Sequence, residues 1–179
     1  MNAMFLQCGQ MASVVKEFCT LIDHFHTSGQ EHYWLRRMEK VLPRLHAAVV
    51  SLDIPESGDI HYRLPNDDLR CELFMRLNQL LLADKILWSS FDKPVIRQRL
   101  CERLADDFTD MYFDLKHGLQ LLDQHPENPV FAANLWRQSY YLHWGEHLVD
   151  AEGWLHAVEV RNFGTMTQAV KLMKEVQHH

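Results

Sequence analysis

Residues 131–160 read FAANLWRQSYYLHWGEHLVDAEGWLHAVEV, about eight turns if they form one unbroken helix. At about 100° per residue, Ala133, Trp136, Tyr140, Trp144, His147, Ala151, Trp154 and Val158 gather on one side. So much aromatic area on one face requires other helices to cover it. The exception is His147, set within that apolar stripe, with His143 and Asp150 on its flank.

Working outward, the preceding segment 95–122 carries Leu100, Leu104, Phe108, Met111, Leu115, Leu119 and Leu122 at intervals of three and four. His125-Pro126-Glu127-Asn128-Pro129 breaks the chain between the two segments. So short a connection favours an antiparallel hairpin. Upstream, the same periodicity marks helices over 11–26, 31–52 and 67–83. Pro43 is expected to kink the second, and Asn66-Asp67-Asp68 to cap the third. Downstream, Arg161-Asn162-Phe163-Gly164 is expected to end the long helix, leaving a short one over 165–176. Strand alternation and internal repeats are absent. Residues 1–179 therefore read as one all-α domain, an antiparallel bundle of five or six helices.

The chain is long enough to bury a sizeable core. A net charge of -6 and scattered basic residues argue against a nucleic-acid role. No apolar run reaches the roughly 18 residues of a membrane span. The N-terminal segment lacks the pattern of a secretory signal. Cys8, Cys19, Cys71 and Cys101 are far apart and sit in helical segments, so buried free thiols and a cytoplasmic address are expected. The terminal His178-His179 pair carries no weight in the reading.

Chemistry points to the last two long helices. Asp107, Asp110 and Asp114, spaced i, i+3, i+7, share an edge beside the Leu104/Met111/Leu115 stripe, with Asp106 adjacent. His143 and His147 are i, i+4, so both imidazoles can point at one spot. Carboxylates on one helix facing a histidine pair on its antiparallel neighbour is how bundles build metal sites. Such donors suit a divalent transition ion. The same pattern arises from a buried Asp–His hydrogen bond that only satisfies polar groups, and that reading is preferred. The acids repel one another unless a cation is near, and Lys116, Arg103 or a histidinium are the candidates. Glu146 lies on another face, so HWGEH is not the HExxH arrangement. Ser139 has no acid placed to complete a triad. Gly145 and Gly153 each cost a helix roughly 1 kcal/mol against Ala, and a close helix crossing is the expected reason. The aromatics Trp136, Trp144 and Trp154 read as core rather than as a ligand pocket.

The run LADDFTDMYFDLKHGL (104–119) and the run HWGEHLVDAEGWLHA (143–157) resemble the signature blocks of an uncharacterised bacterial family of all-helical domains of unknown function. The likeness is carried by Asp106, Asp107, Asp110, Tyr112, Asp114, Lys116 and Gly118, and by Trp136, His143, Trp144, Gly145, His147 and His156. WSSFDKP at 88–94 resembles that family's connector. The resemblance covers the second half of the chain and implies a helical, bacterial, cytoplasmic protein with no attached activity. Two functions stay open. One is a helical binding or interaction protein, for an unidentified protein or small molecule, with a structural Asp/His cluster. The other is a metal-binding helical protein, with hydrolysis as its candidate chemistry, using His143, His147, Asp107, Asp110 and Asp114. Self-association through an exposed face of the first or last helix fits either.

Overall fold

The computed structural model describes residues 3–25, 31–55, 66–85 and 88–176, without the side chains of 31, 32 and 168–176. Residues 56–65, within the stretch from Asp53 to Pro65 whose Pro55, Gly58 and Pro65 mark a loop, and the His178-His179 pair lie outside the described residues. Among the described residues six α-helices follow in order: α1 (Ala3–Asp23), α2 (Glu31–Val50), α3 (Asp67–Ala83), α4 (Pro94–Gln124), α5 (Pro129–Ser139) and α6 (Gly145–Val176). A π-helical turn over Tyr140–Trp144 joins the last two. Among the described residues there is no strand, and no helix is long and apolar enough to cross a membrane.

The central element is α4, which packs against α1, α3, α5 and α6. Its buried positions Cys101, Leu104, Phe108, Met111 and Leu115 meet Met11, Val15, Phe18 and Leu42 in one core. Contacts pair Asp114 with His143, Asp107 with His147 and Arg103 with Trp154. Rising numbers on one helix against falling numbers on the other make α4 and α6 antiparallel, as the short connector requires.

Two boundaries differ from the sequence reading. The first helix starts at Ala3 rather than near residue 11, with Cys8 already in the core. Pro43 sits within one continuous α2, in keeping with the single helix read over 31–52: it removes one i→i−4 hydrogen bond, while Val41, Leu42 and Leu45 remain buried around it. The second difference is in α6, which runs through Arg161–Gly164 to Val176. Asn162 and Gly164 are weak breakers without a proline behind them. The segment is pinned as well: Arg161 Nε donates to Ser90 O at 2.9 Å and its guanidinium lies over Phe91. Ser90 Oγ also bonds Asn162 Oδ1.

The largest departure is the π-turn. Ala132, Trp136, Ser139, Trp144, Leu148, Ala151, Leu155 and Val158 form one series of buried positions along the last two helices, with Ala133, Asn134, Leu135 and Gly145 buried beside it. Spacings within the series are three or four except from Ser139 to Trp144, which is five. Inserting one residue in a turn rotates everything upstream by about 100° relative to everything downstream. Tyr140, His147 and Trp154, expected mid-stripe, are therefore only half-buried at its edge, and Leu148 and Leu155 take the core positions. The wide turn closes with Gly145 N–H donating to Tyr140 O. It is braced by the buried Trp144 indole, which donates to Trp136 O and Ser139 Oγ, both at 3.0 Å.

The end of α1 is tied to α4 by Asp23, which accepts from Tyr112 Oη at 2.6 Å and Lys116 Nζ at 2.8 Å. Burial alone would raise the Asp23 carboxyl, but Lys116 and Tyr112 outweigh it and bring it below the ordinary value. A carboxyl lowered on folding stabilises above its unfolded pKa, and that contribution is lost as pH falls through the lower folded value. Asp23→Asn should therefore cost about 0.5–1 kcal/mol at neutral pH, modest because the pair is solvent-screened. The thermal-melt gap to the parent should close at acid pH; a gap independent of pH would contradict this assignment.

Candidate functional site

All five sequence-nominated side chains meet where α4 faces the π-turn and the start of α6. His143 Nδ1–H donates to Asp114 Oδ2 at 2.9 Å, and His147 Nδ1–H donates to Asp107 Oδ1 at 2.9 Å. Asp107, Asp110 and Asp114 are buried, whereas His143 and His147 sit part-exposed at the rim. The imidazole centroids are 5.0 Å apart. His147 turns its second nitrogen toward the third acid, with Nε2 3.4 Å from Asp110 Oδ2. Ligand atoms of Asp110, His143 and His147 all lie within 4.8 Å of one another. Asp107 and Asp114 stand behind the histidines and fix their tautomer and orientation.

Beside the imidazoles paired with Asp107 and Asp114, the cation balancing these acids is neither of the two basic side chains expected from sequence. Lys116 is engaged by Asp23, and Arg103 lies over the Trp154 ring at 5.3 Å. It is Arg70, from the first turns of α3, that enters the cluster. Its Nε and Nη2 grip Asp110 Oδ1 and Oδ2 at 2.6 and 2.7 Å, and Nη2 also reaches Asp106 Oδ1 at 2.8 Å. Nothing in the local sequence marks Arg70: the signal is tertiary, set by the docking of α3 on α4. The Asp110 hydrogen bond foremost holds the guanidinium above its ordinary pKa.

Two groups carry the electrostatic tension. The Asp107 carboxyl is pushed up by burial, which outweighs the His147 hydrogen bond that would lower it; Asp150 and Asp106 push the same way. His147 is raised chiefly by its hydrogen bond to Asp107, with Asp110 adding and burial opposing. Asp107 Oδ2 is a buried oxygen with no hydrogen-bond partner among the described residues. With Nδ1–H given to Asp107, a neutral His147 would aim a lone pair at Asp110 Oδ2. That approach is repulsive unless a proton or a metal ion lies between.

Other nominated groups fall away from the site. Ser139 is buried and donates to Leu135 O, so it is no nucleophile. Glu146 is exposed. Cys8, Cys19 and Cys101 are buried as expected, but Cys71 is exposed because α3 turns that face outward. Neither glycine marks a helix crossing. A Cβ on Gly153 would meet nothing within 4 Å, and one on Gly145 would strike its own π-turn at Tyr140 O, 2.4 Å away.

The model of a family described as "Domain of unknown function (DUF5063)" matches residues 4–161. The chain belongs to this family. A crystal structure of protein BF1032 from Bacteroides fragilis is similar in fold, with a TM-score of 0.62 and 21% identity. The likeness covers 83% of this chain and 89% of that one. No curated protein matches. Membership in DUF5063 brings no activity with it, so any functional reading rests on the α4/α6 cluster.

Proposed function

We propose that this DUF5063 chain is a helical protein that binds a divalent transition metal, with His143, His147 and Asp110 as ligands. The observation that carries the reading is the 3.4 Å between His147 Nε2 and Asp110 Oδ2. A tetrahedral ion with bonds of ~2.0–2.1 Å holds neighbouring ligand atoms about 3.3–3.4 Å apart. The buried acids support it further: Asp107 and Asp114 each fix one imidazole through Nδ1, the outer-shell pattern that orients metal-binding histidines. With Nδ1 committed, Nε2 is the nitrogen each residue would offer. Three protein ligands leave a position for water or substrate, as in catalytic rather than structural zinc sites, and a hydrolytic role would use that position. The address belonging to this reading is cytoplasmic, in keeping with the buried free thiols. The binding partner is a small molecule or a protein, a second copy through Phe163 and Met166 included; both are exposed on α6. Excess acidic charge disfavours nucleic acid.

A second reading is the purely structural network, favoured by the Arg70 fork already seated on Asp110. Calorimetric zinc titration separates the two. The metal reading expects one ion per chain, abolished in His147→Ala and weakened roughly 10- to 100-fold in Asp107→Asn, which keeps every ligand but replaces the charged orienting acceptor with a neutral amide oxygen. Affinity should also fall with pH, by up to about tenfold per unit for each imidazole that must lose a proton. Absence of stoichiometric binding in the parent, or equal binding by His147→Ala, leaves the structural network alone.

A further inference from the structure

Building on the metal site just proposed, we infer that Arg70 is the residue that sets which ion the site takes. Asn66 caps α3 by accepting from the N–H groups of Asp68 and Leu69, and Arg70 N–H closes the first turn on Asn66 O at 3.0 Å. The Arg70 stem therefore leaves a fixed turn directly opposite α4. Its fork spans both oxygens of Asp110 and one of Asp106, one helical turn apart. Four aspartates, Asp106, Asp107, Asp110 and Asp114, crowd this stretch of α4. Without the guanidinium Asp106 and both oxygens of Asp110 would be open to an ion, enriching the site in the oxygen donors that hard ions require.

Arg70 changes that donor set in two ways. It occupies one lone pair on each Asp110 oxygen, so Asp110 can serve an ion through one oxygen only, and it ties Asp106 to α3. Asp107 and Asp114 are held by imidazoles. The donors that come within 4.8 Å of one another are two nitrogens and one oxygen, the preference of zinc, nickel or cobalt over magnesium, calcium or manganese. The positive charge itself repels every dication alike, and so lowers all affinities without changing their ratio. Selectivity, rather than affinity, is therefore the signature of the fork.

The test is calorimetric titration of the full chain with zinc alone and with manganese alone, in the parent, Arg70→Gln, Arg70→Lys and His147→Ala. Folding of each variant is checked by circular dichroism. Losing the fork should raise manganese affinity about tenfold or more relative to zinc. Arg70→Lys, which keeps the charge but not the bidentate grip, should narrow the zinc-to-manganese ratio in the same direction. It carries the test if the glutamine variant unfolds. An unchanged ratio in folded Arg70 variants, with zinc binding still lost in His147→Ala, overturns the role of Arg70 and leaves the metal site standing. A parent that binds no zinc removes both.

Discussion

Gly118→Ala is expected to cost about 3 kcal/mol or more, the loss typical of forcing atoms into a filled core plus a broken buried hydrogen bond. A Cβ at Gly118 would lie 2.0 Å from Trp136 Nε1 and 2.4 Å from Cε2. The indole has nowhere to retreat, because it is fully buried and Nε1 donates to Leu115 O at 3.0 Å, one turn away on the same helix. Trp136 thus seals the hairpin of α4 and α5 against a groove that only hydrogen fits. Against a total stability of roughly 5–15 kcal/mol, such a loss is large. Urea denaturation measures it. Gly118→Val should fail to fold, and pairing Gly118→Ala with Trp136→Phe should recover part of the loss. A midpoint unchanged from the parent would show that the indole can shift freely.

The second large effect has a sign that ordinary helix propensity gets backwards. Replacing an interior helical glycine by alanine normally gains about 1 kcal/mol. Gly153→Ala, whose Cβ would meet nothing within 4 Å, should gain up to about that amount. Gly145→Ala should instead lose roughly 2 kcal/mol, because its Cβ would sit 2.4 Å from Tyr140 O and 2.9 Å from the Tyr140 ring. Relief requires the π-turn to tighten, and that rotates His143 away from Asp114. The variant should therefore lose metal affinity along with stability, while Gly153→Ala keeps both. Thermal melts of the two variants side by side decide it: stabilisation by both would mean that the π-turn is not held by Gly145.

These two glycines also mark where reading the sequence succeeds and fails. The helix-forming periodicity of 67–83 and 95–122 is local, and the observed α3 and α4 follow it within two residues. The Asp107, Asp110, Asp114 edge and the i, i+4 histidines are likewise legible, since helical geometry alone carries them to one seam. What is lost is whatever depends on an unseen neighbour or on a break in period. Arg70 enters from another helix. The π-turn inserts one residue, and the signs of it were two buried series out of phase. Ser139 closes the upstream series, and Trp144, Leu148, Ala151 and Leu155 continue downstream. An unbroken 3.6 period across that join places His147 in the middle of the stripe, whereas it stands at the rim with 20% of its side chain exposed. That rim position leaves the ring accessible from solvent.

Anomalous diffraction from crystals of the full chain soaked in zinc, recorded on both sides of the zinc absorption edge, examines the metal site without intermediaries. One peak per chain is expected between His143, His147 and Asp110, about 2.0–2.2 Å from a nitrogen of each histidine and from one Asp110 oxygen. Arg70 should remain on the far side of that carboxylate. A peak elsewhere on the surface, or a His147 ring still bonded to Asp107 and Asp110 with no anomalous signal beside it, would reduce the cluster to a hydrogen-bonded network.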